Sequence, residues 1–537
     1  MVIAATIAAP RASVAQRIAG PGDDAWLLPV GVVRTSLQTR FFGASDRFNS
    51  NGDRESLGAP FAGLLGAAQF PTLASLNDDI RAASGVQTFA AILGKAAADV
   101  RRNQAMVPLS VEIGVTPRVM ARVFAPFFTG LQDIAWQLDG NAASIGLNPA
   151  AAAGAAFESN RALVSAFDSA AAHLEALVGA CATNPAFDSR CATVTANASA
   201  IAALIAQSRA TTDAIARTYG GRTGVASALF VPLRGSAADN GVVARITSIR
   251  DGFNQYGFAT VGDGVVPGGA AAPATIADIR KLLSDSTYGY VLPIDRTYKQ
   301  GLGDIDLGVT LLLHDGLKSG PASRDTVRRT GWRQVAGATY RVGRGTPPDP
   351  DDPFAVPTGT GINGIELMSA ADVVRGKHLW GTVLARWTMA QSRDGIARIP
   401  DSTGSPFIPL ARRRNTHTEL GSRFELSVAP RWTVNDYMAA GVRWSWVHQA
   451  GEKMTELAPL AGAAPMHYAA PSMSAQALSV GLTWSSLAAW QRHTTRFPVE
   501  IQWERSITVA GSGDAPRVNG DLIAVRVYGS LWGRPLR

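Results

Sequence analysis

Apolar and polar residues alternate with a period of two along much of the chain, above all in its C-terminal half. In "PVEIQWERSITV", Val499, Ile501, Trp503 and Ile507 share one face, and Glu500, Gln502, Glu504 and Ser506 share the other. "HTELGSRFELSV" sets Leu420, Phe424, Leu426 and Val428 against His417, Glu419, Arg423, Glu425 and Ser427. Near the start, "VVRTSLQTRFF" sets Val33, Leu37 and Phe41 against Arg34, Ser36, Gln38 and Arg40. This is strand periodicity. It predicts about twelve strands, at 26–42, 94–114, 117–128, 298–314, 329–345, 363–375, 378–391, 415–431, 435–449, 474–488, 495–509 and 519–532.

The connections sort by parity. Tight turns are expected at Thr116-Pro117, Gly376-Lys377 and Thr433 to Asn435, and long links mostly fall between them. Short inner turns alternating with long outer loops characterise barrels of the outer membrane. With strand one starting on the periplasmic side, every tight turn falls there. Trp26, Trp380, Trp432, Trp490 and Trp532 then lie at periplasmic strand ends, as an interfacial girdle or as ordinary core residues.

Between 137 and 297 the period changes. Leu163, Phe167, Ala170, Leu174 and Leu177 form one helical stripe, and Ile201, Ile205 and Ile215 another, with Gly220-Gly221 as a stop. Cys181 and Cys191, ten residues apart, join the two helices. In an exported chain they form one disulfide stapling a helical hairpin; the other reading is two buried thiols. Further helices are expected at 72–83, 237–256 and 274–284, and Asn148-Pro149 reads as a helix N-cap followed by proline at the first helical position. The predicted organisation is a signal peptide at 1–15, first barrel strands with a helical loop at 26–128, an α-helical insertion at 129–297 and the remaining strands at 298–532. The fold class is an all-β transmembrane barrel of about twelve antiparallel strands with a large helical insertion.

Composition narrows the partners. The formal net charge is +8, but the arginines are scattered and no basic block marks a nucleic-acid footprint. The apolar start ends in Ser13-x-Ala15, a small-x-small cleavage site, although no positive residue precedes it; an apolar N-terminus is the other reading. No apolar run is long enough for a spanning helix, which leaves barrel strands untouched.

Candidate chemistry concentrates on the polar face. Gly301-x-Gly303 does not open a phosphate loop, because the third glycine position holds Asp306 and a strand follows. Asp304 and Asp306 share a face by strand period. Parity sends them into the lumen with Arg34, Arg40, Arg341, Arg386, Arg423, Arg443 and Arg526, and with Glu112, Glu366, Glu419, Glu425, Glu500 and Glu504. These charges line a wet pore or hold a plug. Asp349, Asp351 and Asp352 in "TPPDPDDPF" are weak calcium candidates or a solvated acidic loop. The seven histidines are isolated, and neither G-x-S-x-G nor H-E-x-x-H occurs, so no enzyme and no cofactor are expected.

"VPLSVEIGVTPRVMARVFAPFF", "GLGDIDLGVTLLL" and "VPTGTGINGIELMSAADVV" resemble segments of outer-membrane transporters for hydrophobic compounds. The likeness is to the phenol meta-pathway branch of the long-chain fatty-acid transporter superfamily, and covers about a third of the chain, in barrel segments. It implies an integral protein of the bacterial outer membrane, in contact with its lipid, that passes small hydrophobic compounds through the lumen or a lateral opening. The chain departs from the fatty-acid transporters, whose N-terminal hatch carries Asn-Pro-Ala: here Asn148-Pro149-Ala150 lies inside the insertion. No ligand-binding residue carries over. A surface barrel whose helices bind an extracellular partner, with no transport, is the alternative.

Overall fold

The structure, a computed structural model, describes residues 25–531 apart from 259–263, 293, 295, 318–329, 377, 402–405, 436, 460–461, 488, 490–494 and 496–497. The expected signal peptide at 1–15, Trp490 and Trp532 lie outside the described residues.

Twelve antiparallel strands form the barrel: β1 (Val32–Phe48), β2 (Gly94–Thr116), β3 (Val119–Asp139), β4 in two stretches (Thr297–Leu302 and Ile305–Asp315), β5 (Gly331–Val342), β6 (Gly364–Arg375), β7 (Leu379–Ala390), β8 (Arg423–Thr433), β9 (Met438–Gln449), β10 (Met473–Ser485), β11 (Val499–Ser512) and β12 (Ala515–Ser530). Each pairs with its neighbours in sequence, and β1 pairs with both β2 and β12, which closes the sheet. Closure satisfies every edge, the condition for a sheet to stand in lipid. Along each strand the greasy residues face out. Leu37, Leu109, Val111, Leu307, Val309, Leu311, Val383, Val480 and Val527 are exposed, while Ser36, Ser110, Glu112, Asp306, Thr310, Ser479 and Arg526 between them are buried. A band that is apolar outside and polar inside inverts the pattern of a soluble protein. The chain is an integral β-barrel of the outer-membrane type.

Aromatic side chains border the band, and of those expected Trp432 is among them. Trp332, Trp432, Trp484 and Trp503 face outward towards the periplasmic strand ends, and Tyr340 and Trp387 face outward towards the other end. Trp26 and Trp380, only 7% and 8% exposed, are instead turned into the lumen. Trp380 shares strand parity with Arg386, six residues on, which sends both inward.

Four boundaries differ from expectation. Residues 25–31 are not strand: they run inside the periplasmic end of the barrel before β1 begins. β3 continues to Asp139, so the insertion starts about eleven residues later than position 129. The strand expected at 415–431 breaks at 420–422. Its first part, Arg413–Glu419, belongs to a separate four-stranded outer sheet with Arg393–Arg398, Lys453–Glu456 and His467–Ala469. Finally, Gly513-Asp514 makes a tight turn on the outer side, with φ 65° and 68°.

The helices are α1 (Leu73–Ser84), α2 (Ala155–Thr183), α3 (Cys191–Ala196), α4 (Ala198–Thr218), α5 (Ala237–Asn254) and α6 (Ile276–Ser284). α2, α4 and α5 bury their apolar stripes against one another and against α1. The Cys181–Cys191 disulfide ties α2 to α3, which leads into α4. α6 starts with a reciprocal Thr275/Asp278 cap and packs on β3. Asn148 does not cap α2, which begins at Ala155 behind Gly154. Its amide instead donates to the carbonyls of Thr218 and Ala228, and its side-chain oxygen accepts from the Ala150 amide.

Candidate functional site

The lumen is built by opposed residues on adjacent strands. Arg34 faces Glu112 across β1 and β2, and Arg526 faces Glu500 across β12 and β11; both pairs form ion pairs. Arg341 faces Asp306 across β5 and β4 and grips it with two N–H groups, at 2.8 and 3.1 Å. Arg443 reaches over β10 to Glu504. Arg386 lies 3.5 Å from Glu425 and 3.9 Å from Glu366, and Arg423 lies 3.6 Å from Glu425. Arg40, pointing across the lumen, lies in electrostatic range of Arg443, Glu504, Glu425 and Arg423. In so narrow a space an unpaired charge would be costly, and pairing brings the two signs together.

Glu419 is not among these. It ends the Arg413–Glu419 strand of the outer sheet, exposed, because the chain turns at Leu420-Gly421 before entering β8. His417 is on the same outer strand and bonds Asp394 at 2.7 Å. Asp304 is held by the backbone of an outer loop. Buried, it accepts the amides of Gly345, Thr360 and Gly361 at 2.9, 2.8 and 3.2 Å, and the Thr360 hydroxyl at 2.9 Å. It pins the outer loop 343–363.

The acidic run of that loop is dispersed. Asp351 takes Arg398 and Arg413, Asp352 accepts the Phe354 amide and the Thr297 hydroxyl, and Asp349 accepts the Asp351 amide. No group of three His, Cys, Asp or Glu side chains suited to a metal ion occurs among the described residues.

Both ends of the lumen carry features the pattern did not show. On the periplasmic side, the amide of Ala25 donates to Asp372 on β6 at 2.9 Å, and Ala25 packs among Val335, Ala370 and Leu384. Trp26 stands edge-on to Tyr528 with the Arg34 guanidinium over its ring, and Leu28 packs with Met120 and Leu487. The segment thus crosses the lumen from β1 to the β5–β7 wall. Asp372 was legible, since it shares parity with Glu366. Arg122, also inward, was hidden by sharing its face with Met120, Phe124 and Phe128.

On the outer side, Phe61, Phe70, Trp136, Tyr290, Phe354 and Phe407 form one aromatic cluster, with Phe70 and Phe407 stacked at 4.8 Å. They come from five separate segments. Below this cover a chamber is lined by Arg341, Glu366, Arg386, Arg423 and Glu425.

No family model and no curated relative matches the chain. Among solved structures, it is similar to an outer membrane channel from Pseudomonas putida F1, with 8% identity, TM-score 0.40, and 95% of this chain and 98% of that one covered. The transport unit of the autotransporter AIDA-I from Escherichia coli gives 6% identity, TM-score 0.31, and coverage of 96% and 94%. A mutant of the TodX monoaromatic hydrocarbon channel gives 8%, 0.29, and 94% and 91%.

Proposed function

We propose that the barrel is an outer-membrane channel for passive uptake of small, largely hydrophobic compounds, with the outer loops and helical insertion as a lid. The observation that carries this is the aromatic cluster over the mouth. A pore for ions or sugars would present polar, hydrated loops there, whereas Phe61, Phe70, Phe354 and Phe407 are fully buried and close the mouth as a packed apolar cover, which on loosening takes up an apolar solute in preference to a hydrated one. The paired lumen charges below set which solutes continue.

The test uses purified protein in liposomes loaded with a solute-sensitive dye. Uptake of small aromatic compounds above the rate of protein-free liposomes is expected. It should rise when the insertion between β3 and β4 is replaced by a short turn. A barrel as tight as empty liposomes in both forms, with the helical insertion alone capturing a protein, would replace the channel with a surface binding barrel.

A further inference from the structure

At the periplasmic end of the lumen, beside β7 to β11, lies a second recess. It is distinct from the chamber under the lid. Trp380, Arg431, Thr433, Thr483, Ser485 and Glu500 line it. We propose that this recess is a binding site for a small aromatic carboxylate, the last station of the solute before the periplasm. The inference takes the channel reading as its setting and names the solute class.

Three observations carry it. First, the lining is rich in donors. The Arg431 guanidinium and the hydroxyls of Thr433, Thr483 and Ser485 converge there, and the single carboxylate, Glu500, is tied to Arg526. An anion finds donors and no uncompensated negative charge. Second, the wall is flat and aromatic. The Arg431 guanidinium lies over the Trp380 ring, 5.8 Å from its centroid, so a ring and a carboxylate meet apolar and cationic surface together. Third, the indole N–H of Trp380, in a residue only 8% exposed, finds no hydrogen-bond acceptor among the described residues. A buried donor left unmet is costly, and an oxygen bound in the recess that Trp380 lines would meet it.

The recess also touches the N-terminal segment. Arg431 donates to the Thr382 hydroxyl at 3.4 Å, Thr382 donates to Asp372 at 2.7 Å, and Asp372 holds the Ala25 amide. A carboxylate that draws Arg431 towards itself acts on the same chain of bonds that anchors the segment.

Isothermal titration of the full-length protein in detergent with benzoate and with benzyl alcohol tests the site. Benzoate should bind the more tightly. Trp380→Phe keeps the ring and removes the donor, and should weaken benzoate by about tenfold while leaving benzyl alcohol little changed. Arg431→Gln should weaken benzoate at least as much. Equal affinity for benzoate in the native protein and both variants would overturn the proposal, as would equal losses for the two ligands. Heat-modifiable migration on gels reports whether each variant forms its barrel. If one does not, crystals of the native protein grown with 4-bromobenzoate decide: bromine density against Trp380 supports the site, and its absence there overturns it. Benzoate binding with no liposome uptake would remove the channel and leave the site standing.

Discussion

A single carboxylate, Asp304, organises the loop that leans over the barrel. It sits where β4 breaks between Leu302 and Ile305, and gathers three amides and a hydroxyl from 345–361. Asp304→Ala would strand these buried donors at a cost of about 2–4 kcal/mol to the loop. Amide exchange of 344–362 should accelerate by a factor of about 30 or more, with the barrel strands unchanged; unchanged exchange there would remove the anchoring role. At the far tip of the insertion, the Arg190 side chain beside it, helped by the Arg190 amide, holds the Asp188 carboxylate at about 2. Arg190 in turn donates to the Tyr256 carbonyl and lies over Phe258. The folded-state value lies below the ordinary 3.8, so this contribution is present above that value and is lost as pH falls through about 2. Carbon-detected NMR titration of Asp188 should show its midpoint well under 3.8, and Arg190→Gln should return it to the ordinary range.

At the scale of elements, the bundle of α2, α4 and α5 has a core apart from the one that α6 and Tyr290 share with β2, β3 and the outer loops. The helical core joins α1, α2, α4 and α5, and its disulfide closes a ten-residue separation. Replacing Cys181 and Cys191 by serine should destabilise the hairpin by about 2–3 kcal/mol through the added freedom of the open chain. Helical circular dichroism should then melt at a lower temperature while the barrel keeps its heat-modifiable migration; a joint loss would mean that the two cores fold as one. This separation also governs what could be read from the sequence. Strand alternation and helical stripes are local, and they located all twelve strands and the main helices. The break at 420–422 escaped because polar residues keep to odd positions on both sides of it, His417 and Glu419 before and Arg423 and Glu425 after, although the buried face changes from Thr416 and Thr418 to Glu425, Ser427 and Ala429. Glu419 was misplaced for the same reason. Residues 25–31 escaped because an apolar stretch lying inside a barrel resembles the start of a strand. Trp380 was readable by parity with Arg386, whereas the aromatic cover over the mouth was not, since its members lie in five segments that only the tertiary fold brings together.

For the whole molecule, the lumen meets two obstructions in series: the aromatic cover and helices above, and residues 25–30 below. Resistances in series add, so the larger one limits flow and removing the smaller changes little. The lower segment crosses the lumen wall to wall, fixed by Asp372 at one end and by Trp26 against Tyr528 and Arg34 along its length. Shortening the helical insertion alone should therefore raise single-channel conductance only modestly. Asp372→Ala, which releases the Ala25 amide, should act alone by increasing brief openings, since Trp26 still holds the segment. Combining the two changes should raise mean conductance by more than the sum of the separate effects, because each unmasks the other. Planar-bilayer recordings of the two single variants and the combination check this directly. Strictly additive increments would mean that solute follows parallel routes, one of which bypasses the lower segment through the barrel wall. The place to look for that route is where Pro108 of β2 directly opposes Pro126 of β3, since neither residue has an amide hydrogen to contribute to the strand ladder.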